Sequence, residues 1–171
     1  MPLSLSDLNN FARAAFTAAL GHLFEHSSWV ADETWSQRRF ASAETLHAAL
    51  CATMRGASPE KQLALIRAHP DLAGRLAQQN QLTAESTNEQ SAAGLNRLSV
   101  AELAEFTALN DAYRTRFGFP FIICARLNAK ETIVAAMRAR GANPPEAEFA
   151  AALAEIEKIA RLRLTDVLKT D

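Results

Sequence analysis

Four short stretches hold residue types that can do chemistry and that fit poorly as plain helix. In His69-Pro70-Asp71-Leu72-Ala73-Gly74, the proline restricts the backbone of the histidine before it and so gives the imidazole a fixed direction. A directed imidazole, titrating near neutrality, suits a general acid or base. The same residue serves equally well as a cationic group at a helix end. Ser86-Thr87-Asn88-Glu89-Gln90 carries the S-x-x-E spacing of a capping box. Its alternative is a hydroxyl and a carboxylate facing a ligand from the start of a helix. In Gly118-Phe119-Pro120-Phe121, Pro120 forces Phe119 into an extended conformation and leaves backbone groups outside any helix ladder. That turn either offers amides to a polar ligand in a pocket or buries two rings as an apolar connection.

The fourth stretch is the last helical pattern, where Phe149, Leu153, Ile156, Ala160 and Val167 form an apolar stripe. At about 100° per residue, Arg163 lies about 40° from Val167, inside the stripe, whereas Arg161 lies about 120° away. Arginine keeps its charge, so a guanidinium on a buried face requires an anion or carbonyl partner, either internal or from a ligand. A fifth pattern, His22-Leu23-Phe24-Glu25-His26, matches H-x-x-E-H, whose two histidines can share a helix face and hold zinc. Gly21 interrupts the helix just before it and no further ligand follows, so no metal site is expected.

The elements that must position these residues read as helices throughout. Ser4 or Ser6 caps a first helix carrying Leu8, Phe11, Ala12, Ala15 and Phe16 and ending near Gly21. Ser42 caps a second with Leu46, Leu50 and Met54 on one face. Ser58-Pro59 opens a third, with Leu63 and Ile66, that must stop near His69 because Pro70 follows. Ser99-x-x-Glu102 is a capping box for a helix with Leu103, Phe106, Leu109 and Tyr113, closed by Gly118. Asn128 caps the next, with Ile133, Val134 and Met137, up to Gly141. Pro144-Pro145 starts the longest, to about Leu168. Phe121-Ile122-Ile123-Cys124 is the only strand-like run. The fold class is all-α: a single-domain bundle of about seven to nine helices over residues 1–171.

Composition agrees. A chain of 171 residues with 49% apolar and 22% charged residues suffices for one buried domain. A net charge of -1 lacks the basic surplus needed for a general grip on nucleic acid or an anionic membrane. Cys51 and Cys124 form no C-x-x-C and read as reduced, buried thiols. The N-terminus lacks a secretory pattern, no apolar stretch is long enough to span a membrane, and the chain does not end in S-K-L. A cytoplasmic location is expected.

Taken in order, the stretches resemble one known family over nearly the whole chain. They are Phe24-Glu25-His26-Ser27-Ser28-Trp29-Val30-Ala31, His69-Pro70-Asp71-Leu72-Ala73, Ser86-x-x-Glu89-Gln90-x-x-Ala93-Gly94-Leu95, Phe117-Gly118-Phe119-Pro120-Phe121-Ile122 and Ile159-Ala160-x-x-Arg163-Leu164. The family is the 2-oxo-4-hydroxy-4-carboxy-5-ureidoimidazoline (OHCU) decarboxylases, which act at the third step of uric acid degradation. One departure is Ser28, where the family usually shows proline. The resemblance implies an all-α domain, a homodimer, no metal or organic cofactor, and loss of CO2 from the ureidoimidazoline to give (S)-allantoin. It implies catalytic roles for His69 and Glu89. Substrate contacts would fall on Pro70, Ser86, Phe119, Phe121, Ile122, Ile123 and Arg163. Its rivals are a non-catalytic helical ligand-binding module and a zinc hydrolase built on His22, Glu25 and His26.

Overall fold

Helix starts in this chain follow hydroxyl caps. In the computed structural model, which describes residues 2–168, Ser4 caps α1 (Leu5–Asn10) and Ser42 caps α4 (Ala43–Gly56), each in a reciprocal capping box. α4 presents Leu46, Leu50 and Met54 to the core with no exposure to solvent. Each such burial is worth about 1.5–3 kcal/mol. Pro59 opens α5 (Pro59–Ala68), whose inward face is Gln62, Leu65 and Ile66; Leu63 is only half-buried. The helix ends one residue before His69-Pro70, as the proline requires.

The expected first helix is two. α1 stops at Asn10, Phe11 and Ala12 are extended, and α2 runs Arg13–Leu20. No glycine or proline marks the break. It is held from outside: the Trp35 indole N–H donates to the Phe11 carbonyl at 3.0 Å, and Asn9 exchanges two hydrogen bonds with the Phe40 backbone. α3 (Trp29–Thr34) packs against α2 and α4. Ser28 precedes it with φ of -58°, close to the value a proline ring enforces, so the departure from the family pattern leaves this turn intact.

The remaining helices are α6 (Arg75–Gln78), α7 (Ala84–Ala92), α8 (Val100–Phe117), α9 (Lys130–Arg140) and α10 (Pro145–Val167). Ser99 and Glu102 form the expected capping box of α8. Gly118 closes that helix at φ 75°, a left-handed conformation that favours glycine. α9 begins after Ala129; the expected cap, Asn128, instead donates its side-chain amide to the Cys124 carbonyl at 2.9 Å and closes the short 125–127 turn. Among the described residues there are ten α-helices, one of them a single turn, and no β-strand. The fold class is all-α. Phe121–Cys124 is an extended, fully buried connection without a pairing partner strand.

Within the expected single domain the contacts gather in two units: residues 2–68 with 156–168, and residues 69–155. The first has its core on Leu8, Phe16, Leu20, Leu46, Leu50, Leu65 and Ile66. The second is centred on an aromatic cluster in which Tyr113 meets Phe117, Phe119 and Phe121, and Phe119 meets Phe149 edge-on at 6.3 Å. No helix among the described residues is long and apolar enough to cross a membrane.

Candidate active site

Residues 69–155 hold His69, Ser86, Glu89 and the Phe119–Ile123 segment, and α7 is the element that relates them. α7 is capped by Thr83, whose hydroxyl accepts the Ser86 N–H at 3.2 Å. Ser86 therefore lies inside the first turn and Glu89 a full turn further on. The capping-box reading of Ser86 and Glu89 is thus excluded, because Thr83 and not Ser86 is the cap. Ser86 and Gln90, four residues apart, share the buried face of α7, and Glu89 beside them is half-buried.

Gln90 fastens this helix to the loop that follows His69. Its side-chain carbonyl accepts the Ala73 N–H at 2.9 Å, and its amide donates to the Asp71 carbonyl at 3.4 Å. Two residues of α8 grip the same loop. Asn110 donates to the Leu72 carbonyl at 2.9 Å, and the Arg114 guanidinium meets the Asp71 carboxylate at 2.8 Å. Ala73 is held at φ 50°, a conformation costly for an alanine. A Cβ on Gly74 would come within 2.6 Å of the Asp71 Cβ, so only glycine permits so tight a turn. These contacts fix the backbone just beyond the His69-Pro70 step. His69 itself is 7% exposed, and its Nε2 is sealed from solvent. Pro70 is half-buried.

On its other flank α7 packs against the 125–127 turn, beyond the extended segment. Phe119, Phe121, Ile122, Ile123 and Cys124 are all buried. Burial pushes the Cys124 thiol pKa up, and the nearby carboxylates of Glu155 and Glu89 push it further. The Cys124 N–H donates to Glu155 at 2.8 Å. α7 thus carries a hydroxyl and a carboxylate, is hydrogen-bonded through Gln90 to the loop that follows His69, and packs against the 125–127 turn. Such a set can move a proton and hold a polar heterocycle.

Arg163 is 3% exposed on the buried face of α10, as the 100° arithmetic requires. Its partner is internal. Nη2 lies 3.0 Å from Glu25 Oε2, Nη1 donates to the His22 carbonyl at 3.0 Å, and Glu25 is equally buried. This pairing also dissolves the H-x-x-E-H pattern. His22 lies in a 3₁₀ turn, His26 has φ 46°, and the carboxylate between them is committed to Arg163.

The chain matches the model of the OHCU decarboxylase family over residues 9–165. It belongs to that family. An OHCU decarboxylase from Halalkalicoccus jeotgali is 43% identical over 96% of this chain and 92% of its own length. The relative from Amia calva is 38% identical over 98% of this chain and 95% of its own. Among solved structures, the crystal structure of (S)-allantoin synthase superposes with a TM-score of 0.78 at 33% identity over 99% of this chain. This chain spans 55% of that longer protein. Of the residues named from the sequence, His69, Ser86 and Glu89 lie in the second unit and Arg163 in the first. Sequence reasoning gave no role to Gln90, although its spacing of four from Ser86 was a signal. It also left Glu25 to the zinc pattern.

Proposed function

We propose that this OHCU decarboxylase family member removes CO2 from 2-oxo-4-hydroxy-4-carboxy-5-ureidoimidazoline and protonates the product on one face to give (S)-allantoin, with His69 as the acid/base group. The observation that carries this reading is the double fastening of α7: through Gln90 to the loop behind His69, and by packing to the turn behind the extended segment. A pre-positioned acid/base beside a carboxylate is what a stereospecific proton transfer needs.

The substrate's chemistry makes the task small. Its carboxylate sits on a carbon bearing a hydroxyl, next to a C=N bond. As the C–CO2 bond breaks, its electron pair flows toward that C=N, and the nitrogen takes up a proton. The hydroxyl carbon then becomes the ring carbonyl as the neighbouring carbon receives a proton. The electron sink lies within the substrate, so the protein's task is orientation, charge stabilisation and choice of face.

In this reading His69 takes the substrate hydroxyl's proton and assists protonation of the new stereocentre. Glu89 accepts hydrogen bonds from ring or ureido N–H groups. Ser86 completes the polar rim and Pro70 holds the histidine's approach. Phe119, Phe121, Ile122 and Ile123 supply an apolar wall whose backbone amides meet a ring carbonyl. Arg163 enters on the family resemblance, as a group for the substrate's anionic and carbonyl oxygens. The same resemblance supports a homodimer, and the sequence patterns support a cytoplasmic location; sedimentation and cell fractionation would check the two.

Circular dichroism of the product formed from enzymatically generated substrate tests the function. With the protein present, rapid growth of an (S)-allantoin signal is expected. Racemic allantoin at the spontaneous rate would leave only a ligand-binding module.

A further inference from the structure

Arg140, the last residue of α9, makes a set of contacts that no helix terminus requires. Its Nη1 donates to the Ile122 carbonyl at 2.8 Å. Its Nη2 and Nε reach Glu148 Oε2 at 3.0 and 3.1 Å, and the guanidinium lies 4.3 Å from the Phe121 ring centroid. Glu148 is wholly buried and also accepts from the Asn143 amide at 2.9 Å and from the Tyr113 hydroxyl. Arg140 is thus locked on three sides, by a carboxylate, by an aromatic face and by one backbone carbonyl of the extended segment.

That carbonyl belongs to the peptide joining Ile122 to Ile123. A trans peptide is planar and points its C=O and its N–H to opposite sides. Gripping the Ile122 oxygen therefore turns the Ile123 N–H directly away from Arg140. The next peptide is fixed as well, because the Cys124 N–H is taken by Glu155 at 2.8 Å. Two consecutive peptide planes of an otherwise unladdered segment are thus set from behind by charged side chains.

We infer that Arg140 is a positioning residue that aims the Ile123 N–H at the substrate's ring carbonyl, with Glu148 and Tyr113 holding it in place. This rests on the decarboxylase reading and adds to it which backbone donor acts and what directs it. A pre-aimed donor matters most where charge develops in the transition state, and losing one such donor elsewhere slows turnover by about 10²–10³-fold. A donor that is merely misdirected loses less, and about tenfold or more in kcat is expected here.

The single variant Arg140→Met strands the buried Glu148 charge and threatens the fold, so the informative variant is Arg140→Met/Glu148→Gln, which removes both charges. Folded to a native circular-dichroism spectrum, it is expected to lose at least tenfold in kcat with a smaller change in KM, and to yield allantoin of reduced optical purity. Arg140→Lys, which keeps a donor for the Ile122 carbonyl, should recover part of the rate. Amide-resolved NMR of the native protein gives a readout independent of any variant: titration with (S)-allantoin should shift the Ile123 N–H. A folded double variant with native kcat and optical purity, or an Ile123 amide that (S)-allantoin does not move, overturns the role of Arg140. Native protein that gives no optical excess overturns the decarboxylase reading instead.

Discussion

The side-chain carbonyl of Gln90 accepts the backbone N–H of Ala73 at 2.9 Å and so ties the helix bearing Ser86 and Glu89 to the loop following His69. Gln90→Leu removes that acceptor and leaves the buried Ala73 N–H unsatisfied at about 1–3 kcal/mol, while the Asp71 carbonyl loses one donor and keeps the Gly74 N–H. At roughly 2–4 °C per kcal/mol for a chain of this size, the melting temperature should fall by several degrees. Because the His69 loop is released, turnover of the folded variant should fall about tenfold or more at saturating substrate. Turnover unchanged in a folded Gln90→Leu would show that the clamp has no bearing on the site.

The buried pair of Arg163 and Glu25 gives a prediction with two separable parts. Arg163→Ala leaves the Glu25 carboxylate buried without its guanidinium, a loss of about 3–5 kcal/mol. Arg163→Met/Glu25→Met removes both charges and should regain most of that stability. If Arg163 also binds substrate, KM stays raised in the double variant although its melting temperature recovers. Recovery of both KM and stability would make the arginine purely structural.

Glu148 sets an acid limit. Burial disfavours its charge, but hydrogen bonds from Arg140, Tyr113 and Asn143 outweigh that and hold its pKa below the ordinary 4.5. A carboxyl with a depressed folded-state pKa contributes stability that is complete above the unfolded value and lost as pH falls through the folded one. Melting temperatures should therefore hold down to about pH 4.5 and fall below it, with a shallower acid slope in Arg140→Met/Glu148→Gln. Equal slopes in the two proteins would contradict this.

Cys51 lies 3.4 Å from His47 Nε2 and looks like a nucleophile beside its base. The chemistry runs the other way. Burial and the Glu157 carboxylate push the thiol up to about 12, and His47 Nε2 faces the Glu157 carbonyl at 2.8 Å, where it serves as donor. The nitrogen nearer the sulfur therefore already carries its proton, and the bare one, Nδ1, stands 4.0 Å from it. Iodoacetamide at pH 8 should label Cys51 far more slowly than a free thiol, and Cys51→Ser should retain full decarboxylation. Rapid labelling would contradict this account.

What was legible in the sequence was whatever local chemistry decides. The caps at Ser42 and Ser99, the stop at Gly118 and the end of α5 before His69-Pro70 all follow from one residue and its neighbours. The buried position of Arg163 followed from angular arithmetic along one helix. Its partner did not, because Glu25 is 138 residues away and nothing local links them. The break at Phe11–Ala12 was equally hidden, since Trp35, Asn9 and Phe40 hold it through tertiary hydrogen bonds. At α7 two spacings competed. Thr83 and Ser86 are as well placed as Ser86 and Glu89 to start a helix, and the earlier start won. Gln90 and Arg140 were missed because both act on backbone far away in the chain, where side-chain type alone carries no signal.

The central claim is that His69 handles the proton during a stereospecific decarboxylation. Its most direct test is the initial rate of the (S)-allantoin circular-dichroism signal for native protein and for His69→Asn, both confirmed folded by their melting curves. General acid–base assistance is worth about 10²–10⁴-fold, so the variant should lose at least about a hundredfold with its helix content unchanged. A folded His69→Asn producing (S)-allantoin at the native rate would contradict the account.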